Sequence, residues 1–268
     1  MAVQVFTADD GCRIAWRFDG PDDAPVLLLS NSLGTTMEMW APQMAAFTRR
    51  FRVLRYDSRG HGQSDSPAGA YSMDRLGRDA VLLLDAVGVE RADFCGLSKG
   101  GMVGQWLGVR APERIGKLIL ANTSAYMGPP SGWQGRIEGV LRDGMAPLAE
   151  ASIARWFTSS FPMREQNAVS PIREMLLGCD PSGYAGCCAA IRDMDLRPTA
   201  PLIAASTLVI AGSQDPSTSV EDGRWLADAV HQGELAVLDA AHLSNVETPS
   251  VFSETVLGFL DAGGLESA

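Results

Sequence analysis

Continuous apolar runs alternate with stretches of helical period through the first half of the chain, the pattern of parallel strands covered on both faces by helices. Residues 24–30 (Ala-Pro-Val-Leu-Leu-Leu-Ser), 51–56 and 116–122 are runs of this kind, and a fourth begins at Ala92 and ends abruptly at Ser98. Between them the spacing predicts a helix ending near Arg49, one over about 72–87 stopped by Gly88, and one from Ser98 to about Arg110. Two shorter alternating runs, 3–6 and 12–18, flank Thr-Ala-Asp-Asp-Gly, whose Asp10-Gly11 pair predicts a hairpin and so an antiparallel edge.

The pattern changes at Ser124. From there to about Pro201 the chain reads as helical pieces rich in Trp, Met and Arg, broken at Pro129-Pro130, Pro162 and Pro181-Ser182-Gly183, with no parallel-strand run among them. Strands resume at 207–212 and 234–238, with helices expected near 219–230 and 250–260. This is an α/β chain with a mostly parallel, doubly wound sheet, its core drawn from residues 1–123 and 202–268 and an inserted helical cap from 124–201.

Composition narrows the picture. At 268 residues and 46% apolar, the chain can bury one large core and needs no second domain. No apolar run of membrane length is free of charge, and the N-terminus lacks a basic segment followed by a long apolar one, so a soluble, cytoplasmic protein with no membrane partner is expected. A net charge of −10 with only two lysines, Lys99 and Lys117, argues against nucleic acid as a partner. Five cysteines without metal-ligand spacing argue against disulfides and a metal site; Cys95, inside an apolar run, reads as a small buried hydrophobe.

Candidate chemistry centres on Gly96-Leu-Ser98-Lys-Gly100, a G-x-S-x-G motif at a strand-to-helix junction. A serine in so tight a turn takes a strained backbone, and the positions two before and two after it must lack bulk. A hydroxyl is a weak nucleophile, so Ser98 needs an imidazole to take its proton and a carboxylate to orient that imidazole. Of three histidines, His242 lies on a loop after the strand at 234–238, where open α/β sheets place their sites. His231 reads as a solvated helix end, and His61 as a residue that shapes its Gly-rich loop through hydrogen bonds. Asp215 also follows a strand, and it could serve as a cap for the next helix as well as the acid. The order Ser98, Asp215, His242 is that of the α/β-hydrolases. The two oxyanion donors then fall on the backbone N–H groups of Leu33 and Lys99.

Several blocks carry a narrower resemblance: Ser-Asn-Ser-Leu-Gly-Thr-Thr at 30–36 with Met39-Trp40, Tyr-Asp-Ser-Arg-Gly-His-Gly-Gln-Ser-Asp at 56–65, the stretch 94–107 around Ser98, Tyr-Ala-Gly-Cys-Cys-Ala-Ala-Ile-Arg-Asp-Met-Asp at 184–195, and Ala-Ala-His-Leu-Ser-Asn-Val-Glu at 240–247. Together they resemble, nearly end to end, the 3-oxoadipate enol-lactonases of the α/β-hydrolase superfamily. The resemblance implies the α/β-hydrolase fold, a cofactor-free hydrolysis of an anionic enol-lactone in aromatic degradation, and Ser98, Asp215 and His242 as nucleophile, acid and base. In that family the residue after the nucleophile is usually apolar, whereas here it is Lys99. A lactone bearing a free carboxylate requires a local cation in so acidic a protein. Arg136, three residues beyond Trp133, is the first candidate, with Arg192 and the Lys99 side chain behind it; Trp133 is expected to close the pocket over the ring. An esterase or cofactor-free perhydrolase with the same three residues, and a ligand receptor on the same fold, are the alternatives.

Overall fold

The computed structural model describes residues 2–262. Eight strands form one sheet: β1 (Gln4–Thr7), β2 (Arg13–Asp19), β3 (Val26–Ser30), β4 (Arg52–Tyr56), β5 (Ala92–Leu97), β6 (Ile115–Ala121), β7 (Thr207–Gly212) and β8 (Gly233–Leu238), in the order β1-β2-β4-β3-β5-β6-β7-β8. β1 and β2 pair antiparallel, β2 runs antiparallel to β4, and every later pairing is parallel. The central strands β3, β5, β6 and β7 are buried along most of their length, which is why they read as unbroken apolar runs.

Helices α1 (Ala41–Phe47), α2 (Met73–Ala86), α3 (Lys99–Arg110), α9 (Val220–Ala229), α10 (Ser244–Glu247) and α11 (Pro249–Asp261) belong to the stretches that carry the sheet. Between β6 and β7 lie α4 (Pro130–Asp143), α5 (Ala146–Trp156), α6 (Phe161–Arg164), α7 (Gln166–Leu177) and α8 (Pro181–Asp193), and no strand occurs there among the described residues. The prolines that interrupt the sequence pattern turn out to start helices. Pro130 and Pro181 are first residues, and Pro162 sits in the first turn of α6, positions where a missing N–H costs nothing. Pro171 is different, lying inside α7. Side-chain caps fix other ends: Ser72 accepts the Arg75 N–H at 3.1 Å, Asp180 accepts the Gly183 N–H at 2.8 Å, and Ser219 and Asp222 form a capping box.

The inserted helices are fastened to the sheet side of the molecule at two places. Gly60 and Gly183 meet backbone to backbone, so that a Cβ on Gly183 would lie 2.3 Å from the Gly60 Cα, and the Tyr71 N–H donates to the Gly186 carbonyl at 3.0 Å. Midway along the insertion, the Leu243 N–H donates to the Trp156 carbonyl at 2.9 Å, and the Glu247 carboxylate accepts from both Thr158 and the Ala241 N–H. Glu247 thus joins the end of α5 to the loop that carries His242.

Candidate active site

β5 delivers Ser98 into the sharp turn that opens α3, with φ 57° and ψ −115°, a region that side-chain-bearing residues rarely enter. The turn closes only because its flanks are bare: a Cβ at Gly96 would sit 2.2 Å from the Gly100 carbonyl oxygen, and one at Gly100 would sit 2.1 Å from the Ser30 carbonyl oxygen. The Thr123 hydroxyl and the Ala121 carbonyl hold the Ser98 backbone from the β6 side.

His242 comes from the loop after β8 and Asp215 from the loop after β7. The Ser98 hydroxyl lies 2.9 Å from His242 Nε2, and His242 Nδ1 lies 2.8 Å from Asp215 Oδ2. The carboxylate accepts at Nδ1, which places the imidazole proton there and leaves the Nε2 lone pair facing Ser98. Burial on its own raises the Asp215 carboxyl, but the facing His242 together with donors from Thr218 and Ser217 outweighs it and holds the group below the usual carboxylate range. Its two oxygens have separate partners. Oδ1 accepts the Ser217 and Thr218 backbone N–H groups, the capping turn open to it from sequence, while Oδ2 takes the Thr218 hydroxyl and the Asn122 side-chain amide as well as His242. This arrangement can take a proton from Oγ as that oxygen attacks a carbonyl carbon, and return it to a leaving group.

Leu33 lies on the wall of the pocket in front of Ser98. Along its loop the Ser32 N–H points to Met39 Sδ, the Gly34 N–H donates to His61 Nε2 at 2.8 Å, and the Thr35 N–H to the Ser32 carbonyl. The Leu33 N–H alone in this run has no acceptor among the described residues, as does the Lys99 N–H at the first turn of α3. Two free donors therefore flank Ser98. His61 holds the loop in this shape, and it does so as the neutral ring: burial first, and the charge of nearby Lys99 second, push it down to about 3. His231 is exposed.

The pocket of about 290 Å³ above Ser98 is walled by Trp133 and Arg136 of α4, Arg155 and Trp156 of α5, and Tyr184 and Ile191 of α8. Trp133 and Arg136 are in contact, with the guanidinium 5.0 Å from the ring centre. The other two candidate cations are not there. Arg192 turns away to Asp193, at 2.7 Å, and Gln134. The Lys99 side chain, the third candidate cation, is fully buried because α3 is packed on nearly every face, and its Nζ has no hydrogen-bond partner among the described residues. An orphaned buried donor costs about 1–3 kcal/mol. Lys99→Met, which keeps the backbone N–H, is expected to raise the melting temperature by roughly 2–8 °C in calorimetry; a lower value would mean that Nζ makes a stabilising contact.

Several residues of the site carry no motif in the sequence, Asn122 and Arg155 among them. Asn122, with φ 43°, donates to Asp215 and to the Ala241 carbonyl and accepts from Ser244, tying the ends of β6, β7 and β8 together. Its only sequence signal was a polar residue closing an apolar run. Arg155 resembled an ordinary basic residue in a helix's last turn.

An elbow serine, a histidine and an acid set on the carboxyl edge of this sheet define a serine-nucleophile hydrolase of the α/β class. The chain belongs to the α/β hydrolase fold family, whose profile matches residues 25–249. A 3-oxoadipate enol-lactonase of Acinetobacter baylyi is 43% identical to it over 88% of this chain and 89% of the relative. The crystal structure of the enol-lactonase from Burkholderia xenovorans superposes with a TM-score of 0.94 at 42% identity, covering 96% of this chain and all of that one (100%). A putative carbamate hydrolase of Pseudomonas savastanoi is more distant, at 30% identity over 90% of this chain and 95% of its own. No helix among the described residues is long and apolar enough to cross a membrane.

Proposed function

We propose that the protein is a cytoplasmic, cofactor-free lactonase that opens 3-oxoadipate enol-lactone to 3-oxoadipate in the β-ketoadipate pathway, with Ser98 as nucleophile, His242 as base and acid, and Asp215 as the orienting carboxylate. The observation that carries this reading is the pocket wall. Arginine and tryptophan face Ser98 across a cavity sized for a small ring, and no Asp or Glu among the described residues lines it in a protein with net charge −10. Such a site suits a small anion with an apolar face. The names of the enol-lactonase relatives agree with it.

Ser98 Oγ attacks the lactone carbonyl while His242 Nε2 takes its proton, and the oxyanion is received by the Leu33 and Lys99 N–H groups. Collapse breaks the ring C–O bond, His242 returns the proton to the enol oxygen, and the enol relaxes to the ketone. Water, deprotonated by His242 in turn, attacks the acyl-enzyme and frees Ser98. The ring's acetate arm lies against Trp133 and Arg136.

The test is a spectrophotometric assay of enol-lactone loss by purified protein, with a simple aryl ester and a small carbamate as controls; faster turnover of either control, judged by kcat/KM, would overturn the assignment. Arg136→Met is expected to lower kcat/KM for the anionic lactone by about 2–4 kcal/mol in transition-state stabilisation, and to affect the neutral aryl ester much less. Equal losses on both would assign Arg136 to the packing of α4.

A further inference from the structure

Arg155 reaches the same pocket from α5, a different helix from the one that carries Arg136, and neither guanidinium has a carboxylate partner among the described residues. Each makes one long hydrogen bond to a neutral group, Arg136 to the Tyr184 hydroxyl and Arg155 to the Ser152 hydroxyl, both at 3.4 Å. A guanidinium carries five N–H donors, so both side chains keep most of theirs for something else. Other arginines of this protein show how readily a carboxylate is recruited: Arg55 is paired with Asp19, Arg59 with Asp79 and Asp10, Arg192 with Asp193. Two arginines brought into one partly buried cavity without a carboxylate is the costly arrangement, because burial and like charge both act against the charged form. Burial first, and the charge of Arg136 next, press the Arg155 guanidinium below its ordinary value.

We infer that Arg155 is a second carboxylate-binding residue, which with Arg136 forms a two-guanidinium site that a ligand carboxylate completes, so that the pocket selects carboxylate-bearing lactones and retains short dicarboxylic acids. This rests on the lactonase reading for the identity of the substrate, and on the geometry alone for the class of ligand. A carboxylate placed between the two groups relieves their mutual repulsion and can accept paired N–H bonds from either. Ring opening turns a monoanion into a dianion, so the product leaves a site that favours its charge, and a short diacid is a competitive inhibitor of the lactone.

The test is calorimetric titration of the purified enzyme with adipate, and with adipamide as the uncharged analogue of the same length. Wild type is expected to bind adipate more tightly than adipamide. Arg155→Met and Arg155→Gln are each expected to weaken adipate by roughly 10- to 100-fold, the loss of one charge-assisted partner, with adipamide changed by less than about twofold. Arg155→Lys is expected to recover part of the loss, since it restores the charge without the fork. Adipate affinity kept within about twofold in both neutral variants overturns the proposal, and so does an equal weakening of adipate and adipamide, which a packing defect would give. Because no lactone enters this titration, failure of the enol-lactone assay with a normal adipate result removes the substrate assignment and leaves the anion site standing.

Discussion

Ser98→Ala is expected to cut kcat by about a hundred-thousandfold or more while leaving the melting temperature within a few degrees of wild type. The side chain touches the solvent pocket and His242 and fills no core space, so its loss removes the reagent without opening a cavity. Backbone strain at φ 57° is unchanged, since alanine meets the same steric limits as serine there. The oxyanion donors of Leu33 and Lys99 survive, and a residual rate well above that of water is therefore expected. Turnover above about a thousandth of wild type would place the nucleophile elsewhere.

Asp215→Asn is the second large effect, and the hydrogen bonds around the carboxylate say why. An asparagine must present an NH2 at one of two places that now hold oxygens. The Oδ1 side faces two backbone N–H groups, Ser217 and Thr218, that cannot turn away. The NH2 is therefore driven to the Oδ2 side, where the Thr218 hydroxyl can turn away and the Asn122 amide loses one acceptor, and it donates to His242 Nδ1. That fixes the proton on Nε2, pointing at Ser98, and the imidazole can no longer accept from the hydroxyl. A fall in kcat of about ten-thousandfold with KM within about threefold is expected from stopped-assay kinetics. Normal kcat would mean that another acid orients His242.

Periodicity and motif carried most of this in advance. The inner strands are apolar runs because helices cover both their faces, and the sequence bounds of β3, β4, β6 and β7, like those of the edge strand β8, fall within one or two residues of the observed ones. The G-x-S-x-G turn is local, so its strain could be read from spacing alone. What local pattern could not carry is contact across the chain. Asn122 meets Asp215 and Ala241 from roughly a hundred residues away, and a lone asparagine at a strand end carries no mark of that. Arg155 and Arg136 stand on separate helices, and only packing brings their tips into one cavity. Lys99 fails for another reason. Polar residues are expected to face water, but α3 has almost no water-facing side, and a position at its first turn is committed to the interior whatever residue occupies it.

The bridge made by Glu247 and the Trp156 carbonyl also bears on how such an enzyme can be re-engineered. The end of α5, which presents Arg155 and Trp156 to the ligand, is bonded to the same short loop that aims His242 at Ser98. The insertion is therefore not an exchangeable cassette. A chimera that grafts the helices of a related hydrolase onto this sheet has to supply a donor at position 158 for Glu247 and keep the carbonyl that Leu243 donates to, or the base drifts as the new specificity arrives. Changes confined to α4, which this bridge does not touch, leave the general base undisturbed and are the cheaper route to a new ring or a new acyl chain.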